Sequence, residues 1–535
     1  MRTWKVLAVA VALLGTAVMA GAETLDLANY APSDSKAVIE TVNAAGLRQM
    51  LLESKFWAAL EGTQAFKDWR ASQRYDEAQE RIERLLANLD MTREAALKAY
   101  LGGRSAVVVL PGAEKPRGVI LTEATADMAR RLVKACGGVE VKRHRDVAVH
   151  QVEQNGKTDR MAFTKDILLA SAAEGDELER VLDVIVGGGA SMGTEGHFAL
   201  ATKDLPAGWR FRAYGDEVPP RKGPGAIAMY PGPDGRVHAE WRLVSAETKD
   251  DIRAPEALTS PAGLPATSAA AIATVLHPAA IWTEAKAKLA AQGDPGIEQL
   301  RKAEMFVRGW FAGQTMDGVL AAFGPEAAAA VVKNDQAGGA PGVVIMVRLA
   351  QNGKAVATAF KDGLAAKAML VAAMSQNQEN APKINVRDET YHDVPLLCIE
   401  ASGAGLEKVL GAWAKDIALA VAVTDEWLIG GTTPSAVKQT IDTLAGNGKS
   451  LAASLKEAGE TVPTAPATCW GVLLPQGGTE IVLSAAELLA GKARLEEAKK
   501  MTNLAELMNL VKYMGFQQTD GPTVISGQAD VQAVK

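Results

Sequence analysis

The chain contains 535 residues, of which 48% are hydrophobic and only 5% aromatic. A chain of this length exceeds what one hydrophobic core organises, so we expect two or more domains. Its 57 basic and 63 acidic residues give a formal net charge of −6, which argues against a nucleic-acid partner because such a partner needs a basic surface.

The N-terminal segment, residues 1–22, is predicted to be a secretory signal peptide. Two basic residues precede an apolar stretch over 6–18, and the small residues of "AGA" then place the cleavage site between Ala22 and Glu23. An uncleaved membrane anchor is the alternative, but the apolar stretch is shorter than a spanning helix, which needs about 20 residues. No transmembrane segment is expected in the mature chain, because no later stretch is long and apolar enough. We therefore expect an exported protein that is periplasmic or extracellular.

From residue 23 onward, the sequence repeats one order of elements twice. Each half opens with a proline before a short apolar strand, Pro32 in the first half and Pro265 in the second, and helices with an apolar stripe follow. Apolar strands and a further helix come next. Each half closes with an Asp-Gly turn into a strand of alternating residues.

The middle of each half carries a matching pair of phrases. "HRDVAVHQV" (144–152) and "YHDVPLLCI" (391–399) are each predicted to form two strands of a hairpin, turning at Arg145–Asp146 and at His392–Asp393. In both halves a strand then leads into a helix with three inward apolar residues and a terminal glycine, namely Leu178, Leu182, Ile185 and Gly187, then Val437, Ile441, Leu444 and Gly446.

The repeat defines the predicted domains and the fold class. Residues 23–247 form a first α+β repeat domain, 248–261 a polar linker, and 262–535 a second α+β repeat domain with an added helical segment at about 484–514. Because strands come in runs rather than in strict βαβ alternation, each of the two tandem related domains is expected to be a mainly antiparallel sheet with helices packed on one face.

A family resemblance accompanies this repeat. The succession "NYAPSDSKAVIETV", "LGGRSAVVVLP", "RDVAVHQVEQNG" and "KDILLASAAEGDELERVL" resembles a large family of exported bacterial proteins catalogued only as a domain of unknown function, number thirty-three fifty-two. The likeness covers most of both halves. It implies an exported α+β protein and supplies no catalytic residues.

One motif suggests catalysis. "GASMG" (189–193) fits the G-x-S-x-G pattern of a nucleophile elbow, with Ser191 as the nucleophile. That chemistry needs a strand before the serine and a helix after it, so that a tight turn exposes the hydroxyl. The counterpart segment around Ile441 reads as a helix, so a glycine-rich loop after a helix is the alternative interpretation. His197 lies close in sequence, whereas an elbow needs a distant histidine with an acidic residue between.

The remaining reactive residue types form no motif. Cys398 and Cys469 fall in strand-like stretches and could form a disulfide if those strands are neighbours, although sequence alone cannot fix the pairing. The six histidines show no metal-ligand spacing, and no phosphate-binding glycine motif occurs. We expect neither a metal site nor a cofactor.

These observations favour a non-catalytic binding or scaffolding protein of the cell envelope, whose partner would be an envelope protein, a glycan or a small ligand. Whether the protein is an enzyme stays open, and the sequence leans towards a non-enzyme because no reactive constellation is convincing. The alternative is an envelope serine hydrolase using Ser191. A third hypothesis is a structural or chaperone-like partner of other exported proteins.

Overall fold

The fold is described here for the residues that the computed structural model places, which are 26–53, 55–62, 64–112, 117–154, 157–172, 175–218, 223–232, 236–244, 255–311, 313–334, 339–375, 383–403, 414–460, 462, 466–474, 511–521 and 524–533. The predicted signal peptide and its cleavage site at Ala22 and Glu23 lie outside these residues. Residues 248–254 of the predicted linker and 484–510 of the predicted added helical segment also lie outside them.

The chain divides into two compact units. Unit 1 comprises residues 1–248 and 522–535, and unit 2 comprises residues 249–521. Both units combine helices with an antiparallel sheet, so the protein is an α+β protein, as the sequence predicts.

Unit 1 is built on antiparallel strands. They are β1 (Ala37–Val42), β2 (Arg104–Leu110), β3 (Arg117–Glu123), β4 (Val139–His144), β5 (Val147–Gln154), β6 (Lys157–Thr164), β7 (Ile167–Ala172), β8 (Phe211–Val218), β9 (Gly223–Pro231) and β10 (Val237–Val244). Their order in the sheet is β4-β5-β6-β7-β3-β2-β1-β8-β9-β10.

The described part of unit 1 also contains α-helices and 3₁₀-helices. The helices are α1 (Ala44–Glu53), α2 (Lys55–Gly62), α3 (Gln64–Arg70), α4 (Gln73–Leu89), α5 (Arg93–Leu101), α6 (Ala126–Ala135), α7 (Glu177–Val186) and α8 (Gly196–Thr202). The 3₁₀-helices are Leu27–Tyr30 and Met192–Thr194.

Unit 2 has a sheet of the same kind. Its strands are β11 (Ser268–Val275), β12 (Phe323–Val332), β13 (Gly342–Leu349), β14 (Lys383–Tyr391), β15 (Val394–Ser402), β16 (Ala418–Val423), β17 (Trp427–Gly431), β18 (Cys469–Leu473) and β19 (Val511–Asp520). They follow the antiparallel order β14-β15-β16-β17-β13-β12-β11-β18-β19. Its helices are α9 (Ser260–Gly263), α10 (Pro278–Ala290), α11 (Asp294–Trp310), α12 (Met316–Ala321), α13 (Gly353–Ser375), α14 (Pro434–Leu444) and α15 (Leu451–Glu457).

The last strand, β20 (Val524–Ala533), belongs to unit 1. It pairs antiparallel with all of β10, from Val237 opposite Val531 to Val244 opposite Val524. The predicted second domain, 262–535, therefore extends too far, because backbone hydrogen bonds place its final residues in unit 1. Sequence alone cannot reveal this pairing, since the local sequence of a strand does not determine which strand it pairs with.

Helices lie on both faces of each sheet, which corrects the expectation of a single helical face. In β7, Leu169 packs with α7 in the main core, whereas its neighbour Leu168 packs with Ala129 of α6. Successive side chains of a strand point to opposite faces, so α6 and α7 must cover different faces. In unit 2, Ala422 and Val423 of β16 divide between two clusters in the same way, and Val423 packs with Ala357 of α13.

The repeated phrases fold as predicted. Hairpins join β4 to β5 and β14 to β15, and both central residues of each turn, Arg145–Asp146 and His392–Asp393, have positive φ. This geometry is that of the two-residue turns that match strand twist. Helices α7 and α14 are each followed by a glycine with positive φ, Gly187 and Gly446.

Two predicted segments differ from the structure. The second part of the predicted linker is structured, since Ser260–Gly263 forms α9 and the amides of Thr259 and Ser260 both donate to buried Glu326. Residues 511–514, assigned to the added helix, begin β19 instead. Met514 is already paired with Leu473 of β18, so strand pairing overrides the helical apolar spacing at the end of that segment.

The core of unit 1 can be tested at α7. Leu182 is fully buried, whereas Leu200 of α8 is half exposed. We expect Leu182→Ala to lower the free energy of unfolding by about 2–5 kcal/mol, because it removes buried methyl groups and leaves a cavity. Leu200→Ala should cost about 0.5 kcal/mol or less. Urea unfolding measures both, and equal losses would contradict the assigned inward face of α7.

Candidate functional site

Ser191 lies in the loop that follows helix α7. Its hydroxyl donates a hydrogen bond to the carbonyl of Asn29 at 2.7 Å and accepts one from the amide of Gly193 at 3.1 Å. The serine thus caps the 3₁₀-helix Met192–Thr194. A helix rather than a strand precedes it, so the context that a nucleophile elbow needs is not present around this motif. His197 lies in α8 and is not among the described hydrogen-bond partners of Ser191.

Ser450 of unit 2 has the same local role. Its hydroxyl accepts a hydrogen bond from the amide of Ala453 at 3.1 Å and caps α15. An isolated antiparallel bridge joins Ser450 to Pro265, as one joins Ser191 to Pro32. Each serine therefore fastens a loop to the residues just before the first strand of its unit.

The two cysteines considered for a disulfide are both thiols in this structure. Cys398 lies on β15 and Cys469 on β18, and the strands β16, β17, β13, β12 and β11 lie between them in the sheet. A disulfide needs Cα atoms within about 7 Å, which strands so far apart cannot provide. The predicted disulfide between Cys398 and Cys469 required neighbouring strands, and that requirement is therefore not met. Burial also raises the pKa of the Cys398 thiol.

A group of buried charges contacts the 3₁₀-helix Leu27–Tyr30 of unit 1. Glu40 of β1 is 2% exposed and faces Arg212 of β8, which is 8% exposed. The Arg212 guanidinium donates to both Glu40 and Asp26, with Nε at 2.9 Å from the Glu40 carboxylate. The other oxygen of Glu40 accepts the amide of Ala28 at 3.1 Å. This Asp26–Glu40–Arg212 cluster ties the 3₁₀-helix to the sheet.

Aromatic rings complete the surroundings of the cluster. The guanidinium carbon of Arg212 lies 4.7 Å from the ring centroid of Trp209 and 5.4 Å from that of Phe198. A second arginine, Arg104 of β2, lies 5.3 Å from the centroid of Trp209. Its own backbone amide donates to Glu123 at 2.8 Å. Cations close to aromatic rings are stabilised by the electron density of the ring faces.

Glu40 is the residue of this cluster whose carboxyl changes its ionisation state near neutral pH. Burial raises its pKa to about 7, the neighbouring Asp26 adds to the rise, and the Arg212 charge opposes it. A carboxyl with such a pKa can exchange a proton near neutrality, as a general acid or base must. Its burial, however, keeps a substrate atom away from it unless the cluster opens. The chemistry that the arrangement supports directly is proton-linked stability.

Sequence reasoning missed this cluster, although one signal was present. In the strand "AVIETV", Val38 and Glu40 share the inward face of β1, so an acidic residue occupies a core position. At the matching cross-strand pair, unit 2 has two apolar residues, since Ala273 of β11 faces the buried Trp470 of β18.

Both predicted hairpins are clasped by an aspartate on a neighbouring helix. Asp183 of α7 contacts His144 at 2.7 Å and the Nε of Arg145 at 2.5 Å. These contacts hold the pKa of the Asp183 carboxyl below its usual value. In unit 2, Asp442 of α14 accepts from the Tyr391 hydroxyl at 2.8 Å and lies 3.0 Å from His392. His144, the last residue of β4, and His392, in the second turn, therefore both contact a carboxylate.

Two further features bear on function. The described ranges contain no group of three or more His, Cys, Asp or Glu side chains placed to hold a metal ion. None of the helices in the part of the chain that the structure describes combines the length and the apolar character needed to cross a membrane.

Comparison with known proteins adds little. No family model matches the sequence, and no curated protein matches it. Two solved structures, crystal forms IV and III of TP0453, match with 7% and 8% sequence identity and TM-scores of 0.24 and 0.25. The matches cover 41% and 43% of this chain and 81% and 83% of those chains. A similarity this low carries no argument about fold or function.

The raised pKa of Glu40 makes the stability of unit 1 depend on pH. A carboxyl with a folded pKa above its unfolded value contributes stability that is present at low pH and is lost as pH rises through about 7. We expect the wild type to lose about 2 kcal/mol of unfolding free energy between pH 5 and pH 8 relative to Glu40→Gln, which has no proton to release there.

The measurement is urea unfolding at several pH values. Glu94→Gln, at an exposed side chain of α5, is the control and should keep the wild-type pH profile. If the unfolding free energies of the wild type and Glu40→Gln changed with pH in parallel, burial would not raise the pKa of the Glu40 carboxyl.

Proposed function

We propose that the chain is an exported, non-catalytic binding or scaffolding protein of the cell envelope, made of two related α+β units. The export step rests on the N-terminal pattern over 1–22, with cleavage between Ala22 and Glu23. A periplasmic or extracellular location follows from it. Membership of the exported family of unknown function, number thirty-three fifty-two, is part of the same proposal, and it would imply the same location.

Strand order supports a common origin of the two units. Adding ten to each strand number converts the order β4-β5-β6-β7-β3-β2-β1-β8-β9 of unit 1 into the order of unit 2. The same turn precedes the first strand of each: Ser35 donates to the carbonyl of Pro32 at 2.6 Å, and Ser268 to that of Pro265 at 2.7 Å. Agreement in topology and in side-chain detail is expected from a duplication.

The observation that carries the non-catalytic role is the matched placement of Ser191 and Ser450. Both hydroxyls accept a backbone amide at the start of a helical turn, and both residues bridge to the proline before the first strand. A hydroxyl kept in one capping role in both units has a structural explanation, and it needs no reactive partner. The alternative, an envelope serine hydrolase using Ser191, requires that hydroxyl to leave its cap.

Exposed apolar residues support a binding role. On the sheet face opposite the main core of unit 1, Val107 and Ile120 are cross-strand neighbours and are 38% and 52% exposed. In unit 2, Ile272 of β11 and Ile345 of β13 flank Ala329 of β12 and are 45% and 52% exposed. Exposed aliphatic side chains grouped on a sheet face mark candidate interaction sites, and their apolar character favours a protein partner over a glycan.

The catalytic alternative is decided with a serine-reactive fluorophosphonate probe. We expect no labelling of the wild type, because Ser191 is held by backbone groups. Ser191→Ala and its matched control Ser450→Ala should each lower the free energy of unfolding by about 1 kcal/mol through the loss of a helix cap. Labelling of the wild type that is lost only in Ser191→Ala would establish the hydrolase instead.

The binding role is tested by gentle purification of the mature protein from the envelope of the cells that make it, followed by mass spectrometry. We expect a stoichiometric protein partner that is lost in the double variant Ile120→Lys, Ile345→Lys, because charge on the exposed sheet surface prevents its burial. Ile82→Lys, at an exposed position of α4, is the matched control and should retain the partner. A protein that purifies alone, or a partner that all variants retain, would contradict the proposal.

A further inference from the structure

A groove of about 580 Å³ lies between helices α1 and α5 of unit 1. Its apolar lining includes Ala45 and Leu52 of α1 and Leu97 of α5. This volume lies within the range of small-molecule sites, which are commonly apolar with a few polar groups that fix orientation. The groove is thus large enough for a small ligand with an apolar part.

Cations outnumber anions around this groove. Arg48, Arg93 and Lys98 line it, together with the single acidic residue Glu94. Arg93 is held in place by a hydrogen bond of 2.7 Å to the Gln79 side chain. Because the whole chain has a net charge of −6, this local surplus of positive charge has the opposite sign to the rest of the protein.

Two of these cations have no acidic partner in the described part of the chain. The ion pairs recorded there involve neither Arg48 nor Lys98. Arg93 binds the neutral amide of Gln79 rather than a carboxylate. Three cations and one carboxylate, Glu94, line the groove, so the net positive charge attracts an anion that enters it.

The corresponding helix pair of unit 2 has a different arrangement. There α12 begins like α5, since Thr315 caps it as Thr92 caps α5. Lys286 of α10 contacts the Asp317 carboxylate of α12 at 2.9 and 3.0 Å, so an ion pair bridges these two helices. Unit 2 therefore neutralises its cation internally, whereas unit 1 leaves its own cations available.

We propose that the groove between α1 and α5 binds a small anionic amphiphile, with its phosphate or carboxylate among Arg48, Arg93 and Lys98 and its apolar body against Leu52 and Leu97. Guanidinium groups bind such oxyanions through paired, charge-assisted hydrogen bonds. The apolar body gains free energy by leaving water. This site is independent of the proposed protein partner, because it lies on helices and does not include the exposed sheet residues.

The test is titration calorimetry of the mature protein with hexyl phosphate, which stays monomeric. We expect saturable binding with one site, at least tenfold weaker binding of inorganic phosphate alone, and no binding of hexanol. Lys98→Gln and Arg48→Gln should each weaken hexyl phosphate binding at least threefold, because each removes one charge from the anion site. Arg130→Gln on α6, an exposed cation that does not line the groove, is the control and should bind as the wild type does.

Each contrary outcome has a distinct meaning. Equal binding of inorganic phosphate and hexyl phosphate would overturn the amphiphile and leave a site for a simple anion. Binding that is unchanged in Lys98→Gln and Arg48→Gln, with circular dichroism showing that both variants are folded, would overturn the groove as the site. No heat of binding with hexyl phosphate would overturn the proposal entirely, and the proposed protein partner would be unaffected.

Discussion

Burial of β7 and β16 on both faces is the constraint from which the placement of the helices follows. In β7 and β16, consecutive apolar residues point to opposite sides, so neither side can be left to water. Helices α7 and α14 therefore cover one face and α6 and α13 the other. The loops that follow α7 and α14 carry the capping serines, and the hairpin turns beside these two helices are bound by their aspartates. A binding function of this fold therefore depends on the side chains that the helices and strands leave exposed.

The sequence predicts what is local and misses what is distant. The hairpin turns at Arg145–Asp146 and His392–Asp393 are readable because each lies between two short stretches that contain β-branched residues, and a two-residue break between such stretches indicates a hairpin. The helix ends at Gly187 and Gly446 follow from the ease with which glycine adopts positive φ. Glu40 and Arg212 are far apart in sequence, and no local rule pairs them. The same limit explains the predicted pairing of Cys398 with Cys469, since sheet order is not written in either strand.

The two units solve one packing problem in two ways. Where unit 1 has the buried pair Glu40 and Arg212, unit 2 has Ala273 and Trp470. Apolar replacements of buried ion pairs are often as stable or more stable, so the ion pair in unit 1 is not explained by stability alone. It does fix the 3₁₀-helix beneath which it lies, because Asp26 and the amide of Ala28 both join it. The charged surplus on α1 and α5 also belongs to unit 1, which makes this unit the chemically specialised one.

The pairing of β20 with β10 means that the sheet of unit 1 can be completed only after the C-terminal strand has been synthesised. A chain that emerges from its N-terminus, at a ribosome or through a membrane pore, presents β10 long before β20 exists outside. The edge of β10 that pairs with β20 therefore stays unpaired until all the residues of unit 2 have emerged. Unpaired edges recruit foreign strands, and contacts between distant residues form slowly. Between the emergence of these two strands, the open edge of β10 is therefore available to strands of other chains.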